Sequence, residues 1–176
     1  MKHSEFKEAA KRHLIVCHHL LNNFDNFQGN EIVESHQKKI LLNIYYLSGY
    51  ALECILKHLI CTHSHLSASD MNEPLPPKNS ELKKIKIGQS NISYEKLHSH
   101  SLQALSAHAA SQSVSSDLLP PTVFKKKNLS FYKNWNSEVR YCLSYAKGIT
   151  DEDITQQNMV NYLEAIKLLI KQANLQ

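Results

Sequence analysis

Apolar residues along most of the chain recur at intervals of three and four, which is the period of an amphipathic helix. The first such stretch predicts a helix over about 4–24, followed by a polar segment that breaks it. The second predicted helix starts between Asn30 and Gln37 and runs to about His63. From Ile40 onward its apolar positions cover two faces, and a helix of that kind lies at the centre of a bundle.

The helical pattern fails between residues 64 and about 96, where the run PLPPKNS cannot continue a helix because proline lacks the backbone N–H. We expect a loop-rich insertion there, with one short turn or strand in SELKKIKIG. Helical spacing returns over about 97–108 and 130–148, and a last helix is predicted to open at Thr150 in the acidic sequence TDED. These elements predict an all-α fold, a single domain over 1–176 arranged as an up-and-down bundle of four to five helices.

Composition narrows the class of protein. Hydrophobic residues make up 42% and charged residues 20%, as in ordinary globular domains, and only 4 glycines argue against glycine-rich sandwiches, barrels and dinucleotide-binding loops. Lys and Arg number 20 against 16 Asp and Glu, so the net charge of +4 allows nucleic-acid contact without requiring it. The sequence contains no P-loop, Rossmann or HExxH motif and no GxSxG nucleophile elbow.

Cysteine usage and the distribution of apolar runs bear on the compartment. The N-terminal sequence has no signal-peptide pattern, and no apolar run approaches the ~20 residues of a membrane span. The 4 cysteines form no CxxC pair and fit buried thiols in a reducing compartment, so we expect a cytoplasmic protein without membrane contact. Histidines and a cysteine at 61–65 and 98–100 lack the spacing of a structural zinc site, and we therefore expect neither a metal nor another cofactor.

The segment YYLSGYALECILK, residues 45–57, resembles a signature of the prokaryotic HEPN domain family. Two further blocks are similar to those of the family and follow in the same order, HSLQAL at 100–105 and the W-x4-RY pattern at 135–141. The resemblance spans most of the chain apart from the insertion. It implies an all-α bundle that is usually dimeric. It also implies a gene often found beside that of a nucleotidyltransferase partner, in toxin–antitoxin or phage-defence systems.

Many members of this family are metal-independent endoribonucleases with an R-x4-6-H motif across a dimer cleft. Here no histidine follows Arg140 at that spacing, whereas Arg12 on the first helix is followed by His18 and His19. The resemblance therefore predicts a non-catalytic module that binds RNA or a nucleotide or docks a nucleotidyltransferase. The alternative is an endoribonuclease toxin acting at a dimer cleft, with Arg12, His18 and His100 as candidate catalytic residues. In the structural interpretation, Arg12 lies on a solvated helix face and His18 is a partly buried histidine.

Metal-independent RNA cleavage needs a base for the 2′-hydroxyl proton, an acid for the leaving 5′-oxygen and a cation at the phosphate. Histidine suits the two proton steps because its ordinary pKa lies near 6.5. Arginine suits the phosphate because its guanidinium donates two parallel hydrogen bonds.

Four residues of the second helix, at steps of four, three and four, share one stripe: Tyr46, Tyr50, Glu53 and Lys57. Glu53 and Lys57 form an i,i+4 pair in the favourable orientation. In one interpretation Glu53 is a buried structural carboxylate that ties this helix to Lys57 and Arg140. In the other, a phosphate-binding cleft contains Glu53, Lys57, Arg140 and Tyr141, with His100 beside them.

Overall fold

The computed structural model describes residues 2–24, 31–64, 86–87, 92–93, 97–140, 143 and 146–173. Its α-helices in these ranges are α1 (Phe6–Asn22), α2 (Glu31–His63), α3 (Leu102–Ser111), α4 (Pro120–Val123), α5 (Lys126–Asn134) and α6 (Gln156–Ala173). Short 3₁₀ helices span His3–Glu5, Ser116–Leu118 and Ser137–Arg140. Two strands, β1 (Lys86–Ile87) and β2 (Ile92–Ser93), pair antiparallel with Lys86 opposite Ser93. The all-α prediction is confirmed.

Helix α2 is the central element of the bundle. It is 33 residues long and packs against α1, α3, α6 and the 3₁₀ helix Ser137–Arg140. Its two-faced apolar pattern explains this position, since buried side chains such as Ile44, Leu52 and Ile60 must be covered from more than one side. No helix in the described ranges has the length and apolar character needed to cross a membrane.

Helices α1 and α2 run antiparallel. The Phe6 ring lies 5.9 Å from Lys57 Nζ, and the His13 ring lies 5.8 Å from that of Tyr50. Further along, the Cys17 thiol donates to the backbone carbonyl of an earlier turn of α2, that of Ile44. Ascending positions on α1 thus meet descending positions on α2, which places residues near 13 and near 50 at the same level of the bundle.

The helix predicted over 130–148 is wrong in both its start and its length. Helix α5 begins at Lys126 and ends at Asn134, because Trp135 takes an extended backbone conformation with φ −71° and ψ 138°. The chain then forms the 3₁₀ helix Ser137–Arg140. Because α5 ends there, the indole of Trp135 packs onto α2. In a continued helix the Trp135 side chain would point in a different direction.

Helix α6 begins six residues later than predicted, because the TDED sequence forms a turn of its own. The Thr150 N–H donates to Asp153 Oδ2 at 2.9 Å, and the Asp153 N–H donates back to the Thr150 carbonyl at 3.0 Å. An aspartate that bonds nearby backbone in this way competes with helix formation. Thr155 supplies the helix cap, with its Oγ1 accepting from the Asn158 N–H at 3.2 Å.

The predicted third helix also starts later than expected, at Leu102, where the Ser101 hydroxyl caps it by accepting from the Ala104 N–H. Three cysteines, Cys17, Cys54 and Cys61, are free and buried, as predicted. Burial raises the pKa of each of these thiols to about 12, so they are poor nucleophiles. The fourth cysteine, Cys142, lies outside the described residues.

Candidate functional site

Glu53 is a buried carboxylate with both oxygens engaged. Its Oε1 accepts from Lys57 Nζ at 2.7 Å, one turn further along α2, and its Oε2 lies 3.0 Å from His100 Nδ1. Glu53 is 4% exposed and Lys57 5% exposed, whereas the His100 side chain is 51% exposed. A buried negative charge is tolerated when it is paired and hydrogen-bonded, and this arrangement meets both conditions.

The Glu53 carboxylate determines how the His100 imidazole is oriented. An ionised carboxylate only accepts hydrogen bonds, so the proton of this contact belongs to His100 Nδ1. In the neutral ring, Nε2 is then left as an acceptor. A half-exposed imidazole held by a buried carboxylate is suited to hydrogen bonding or proton exchange with a ligand.

The ring of Tyr50 lies at the centre of a group of five rings, which we name the Tyr50 cluster: His13, Tyr46, Tyr50, His100 and Trp135. Ring centroids lie 5.0 Å from Tyr50 for Tyr46, 5.3 Å for Trp135, 5.8 Å for His13 and 6.4 Å for His100. Tyr46, Tyr50 and His13 are half-buried and Trp135 is buried. The cluster is therefore a surface feature with a packed base, built from α1, α2 and the segments that flank α3 and α5.

Gly49 explains how Trp135 reaches the cluster. A Cβ at position 49 would lie 1.9 Å from the indole atom Cε2, so only glycine leaves room for the ring against α2. The indole Nε1 donates to the backbone carbonyl of Tyr46 at 3.1 Å, which fixes the orientation of the ring. The glycine inside the YYLSGYA sequence thus serves a close approach between α2 and the end of α5.

The pKa of His13 lies below its ordinary value of 6.5. Burial is the main cause, and the positive charge of Arg12 adds to it, while the Glu53 carboxylate opposes both. His13 is consequently neutral at pH 7. Arg12 itself is exposed on α1, where its charge acts on His13 and on the Cys54 thiol.

The structure brings together Glu53, Lys57 and His100, which the sequence had proposed for one site. Arg12 and His18 are six residues apart, so their side chains leave α1 about 120° from each other. His18 is half-buried, and its Nε2 has no hydrogen-bond partner among the described residues. None of the described contacts joins His18 to Glu53, Lys57 or His100.

A site role was predicted for Arg140 and Tyr141. The Arg140 side chain and the whole of Tyr141 lie outside the described residues. Only the backbone of Arg140 is described, at the end of a 3₁₀ helix that packs against α2. Tyr141 is not among the described residues, and the proposed pair between Glu53 and Arg140 stays a prediction. In the described part of the chain, the Glu53 carboxylate is matched by Lys57 and His100 instead.

His13 is the site residue that sequence reasoning missed. It follows the helical spacing of Ala9, Ala10 and Cys17, so the pattern assigned it to the packed stripe of α1. Its neighbour Arg12 was proposed instead. The signal that could have found it was the chemistry of the residue, since a histidine on an apolar stripe needs a polar surrounding.

The described ranges contain no group of three His, Cys, Asp or Glu side chains arranged to hold a metal ion. Comparison with protein-family models, curated protein sequences and solved structures gives no match for this chain. The chemistry of the site therefore rests on its own geometry.

Proposed function

We propose that this chain is a HEPN-like helical protein whose Tyr50 cluster binds RNA or a nucleotide. In this proposal it acts as a non-catalytic module of a bacterial toxin–antitoxin or phage-defence system, with a nucleotidyltransferase as partner. The observation that carries the proposal is the group of half-buried rings around Tyr50. These rings lie next to the Glu53 carboxylate, whose charge is balanced by Lys57. The sequence resemblance supplies the biological setting and the homodimer, and the cysteine usage supplies the cytoplasmic location.

Aromatic and imidazole rings that reach the surface are suited to unstacked bases. Stacking of a base on an aromatic side chain contributes about 1–3 kcal/mol and tolerates any base. The Glu53 carboxylate does not repel a phosphate strongly, because the Lys57 ammonium pairs with it at 2.7 Å. Arg12, exposed beside His13, supplies a positive charge at the rim.

The chain has one tryptophan, and Trp135 therefore reports directly on the cluster. We expect titration with oligouridylate or a nucleotide to change its fluorescence, because the Tyr50 ring lies 5.3 Å from the indole and also contacts the rings of Tyr46 and His100. Tyr46→Leu should weaken binding roughly tenfold through lost stacking, and Tyr46→Phe should keep it. Wild-type protein that binds neither probe at micromolar concentration would falsify the proposal.

A second function, metal-independent endoribonuclease, is favoured by one specific arrangement. His13 and His100 both contact the Tyr50 ring, and Glu53 holds the second of them. Neutral His13 can take the proton of the 2′-hydroxyl while the 2′-oxygen attacks phosphorus. His100, protonated on both nitrogens and stabilised by Glu53, can give its Nε2 proton to the departing 5′-oxygen. The products are a 2′,3′-cyclic phosphate and a 5′-hydroxyl.

Incubation of purified protein with RNA, with and without a chelator, separates the two functions. An endoribonuclease of this kind cleaves in the presence of chelator and loses activity in His13→Gln and His100→Gln. The control His19→Gln changes an exposed histidine of the same helix α1 and should have no effect. Binding without cleavage supports the first function, and cleavage that needs a metal contradicts the second.

A further inference from the structure

A cavity of about 380 Å³ lies among helices α3, α4 and α5. Ser106, Ala107 and Ala110 line it from α3, and Pro121 of α4 and Lys133 of α5 also line it. The described residues that line the cavity lie between positions 103 and 133 of the chain, and none of them belongs to the Tyr50 cluster. The cavity is therefore a separate candidate site.

Small side chains on α3 explain why this space exists. The lining positions 103, 107 and 110, together with 106, lie on one face of the helix, and the last three carry only alanine or serine. Gln103 Nε2 donates to the Lys133 carbonyl at 2.7 Å, and the Tyr132 hydroxyl donates to the Leu102 carbonyl at 3.2 Å. Because these two bonds hold α3 beside α5, the short side chains leave the space between the walls unfilled.

The cavity has an apolar floor and opens to solvent. Leu119 and Tyr132 are buried, whereas Ala107, Ala110 and Pro121 are exposed. An apolar recess of this size suits the body of a small molecule. A rigid aromatic ring loses little conformational freedom on binding, so it suits a recess walled by methyl groups and a proline ring.

Ser106 supplies a polar group at the floor of the cavity. Its side chain is 3% exposed, and its Oγ forms no hydrogen bond of ordinary geometry with any described residue. The Tyr132 hydroxyl lies nearby: burial raises the pKa of Tyr132, and the Ser106 hydroxyl partly offsets that rise. The Tyr132 proton is already donated to the Leu102 carbonyl. Because a buried hydroxyl without a partner is costly, a ligand with a polar atom at the floor gains a hydrogen bond there.

Lys133 gives the cavity its charge. It is exposed at the rim, and none of the described lining residues is acidic. A carboxylate at the rim can accept a hydrogen bond from Lys133 Nζ, and such charge-assisted bonds are stronger than neutral ones. One lysine matches the single negative charge of a carboxylate. The lining therefore favours a monocarboxylate over a neutral or cationic ligand.

We propose that this cavity binds a small aromatic monocarboxylate with a hydroxyl group on its ring. The ring packs between the alanine face of α3 and Pro121, and its carboxylate accepts from Lys133 Nζ. The ring hydroxyl forms a hydrogen bond with Ser106 Oγ. The inference goes beyond the proposed function and does not depend on it, since the two sites share no residue.

Calorimetric titration of the full chain with 4-hydroxybenzoate tests the site. Benzoate lacks the ring hydroxyl, and 4-hydroxybenzyl alcohol lacks the carboxylate. We expect 4-hydroxybenzoate to bind roughly fivefold more tightly than either, because each comparison compound loses one polar contact. Ser106→Ala should abolish the preference over benzoate and leave benzoate binding unchanged. Lys133→Gln should abolish the preference over the alcohol, whereas Lys171→Gln removes an exposed lysine of α6 and should keep it.

A second pair of variants tests the location. Ala107→Leu fills the cavity from its exposed rim and should weaken 4-hydroxybenzoate binding more than tenfold. Ala104→Leu changes an exposed alanine of the same helix that does not line the cavity, and binding should stay within about twofold of wild type. Equal weakening in both variants overturns the inference, as does equal or absent binding of the three compounds by wild type. Loss of binding in Tyr46→Leu would place the compound in the Tyr50 cluster and also overturns it. Each of these outcomes leaves RNA binding by the Tyr50 cluster to its own test.

Discussion

At the scale of single residues, two buried tyrosines differ in one hydrogen bond. Tyr45 and Tyr162 are both fully buried, with ring centroids 6.4 Å apart. The Tyr45 hydroxyl donates to the Phe131 carbonyl at 2.9 Å, whereas that of Tyr162 has no partner among the described residues. A buried hydroxyl without a hydrogen bond costs about 1–3 kcal/mol.

We therefore expect Tyr162→Phe to raise the free energy of unfolding by about 1 kcal/mol and Tyr45→Phe to lower it by about 1–2 kcal/mol. Urea denaturation of the two variants gives both values, and each serves as the control for the other because the atoms removed are the same. A larger loss in Tyr162→Phe than in Tyr45→Phe would contradict the assignment of these hydroxyls.

The Glu53–Lys57 ion pair leads to a second prediction at this scale, which concerns its contribution to stability. Glu53→Gln leaves a buried ammonium without its carboxylate, and we expect a loss of about 3–5 kcal/mol in the free energy of unfolding. Lys57→Met should cost a similar amount, and the double variant should lose less than the sum of the two. His100→Gln should cost under about 1 kcal/mol, since its side chain is half-exposed. Additive losses in a urea denaturation cycle would show that the pair is not coupled.

At the scale of elements, Gly49 determines how closely the end of α5 approaches α2. Alanine in an open helix would be better than glycine by about 1 kcal/mol, but here its Cβ would displace the Trp135 indole. We expect Gly49→Ala to lower the free energy of unfolding by about 2–3 kcal/mol and to shift Trp135 fluorescence to the red.

Gly148→Ala provides the matched control for this substitution. Gly148 has a φ of +79°, and the nearest atom to an added Cβ is 3.7 Å away, so the cost there is backbone strain alone. We expect about 1 kcal/mol of destabilisation with unchanged Trp135 fluorescence. Similar fluorescence in both variants and wild type would show that Gly49 does not position the indole.

The packing of α1 on α2 makes stability depend on pH through His58. Burial, and then the charges of Lys7, His63 and Lys11, lower the pKa of His58 from 6.5 to about 4. Between these values the unfolded chain binds a proton that the folded chain does not. The free energy of unfolding therefore falls as the pH drops from about 6.5 to about 4.

After allowance for solvent screening, His58 should contribute about 1–2 kcal/mol to this fall. His58→Phe keeps a ring of similar size and should flatten the dependence of the urea midpoint on pH across that range. His19→Phe changes an exposed histidine of α1 and should leave the dependence as in wild type. Parallel curves for wild type and His58→Phe would contradict the prediction.

At the scale of the whole molecule, the resemblance predicts a homodimer. Light scattering at micromolar concentration should give about twice the chain mass of 20.1 kDa. A value near 20 kDa would contradict the homodimer, whereas the Tyr50 cluster, which includes His13 and His100, lies within one chain and would be unaffected. The measurement thus tests the oligomeric state independently of the two candidate functions.

Much of the fold was predictable because helical periodicity is a local property. Helix α2 was predicted with both its extent and its central place, and the stripe from Tyr46 to Lys57 follows from spacing alone. The residue at which α5 ends and the residue at which α6 begins could not be predicted in this way. At Trp135 a contact with a helix distant in sequence ends α5, and at Asp153 a reciprocal turn outcompetes the helix.

The sequence by itself determined the all-α class, the two-faced character of α2 and the pairing of Glu53 with Lys57, since each depends on residues within a few turns. Only the tertiary structure decided that His13 and His100 share the Tyr50 ring and that His100 reaches Glu53, 47 residues away. Those contacts depend on the antiparallel packing of α1 on α2 and on where the chain enters α3. The periodicity of a single helix carries no information about which other helix covers it, so these partners follow from packing alone.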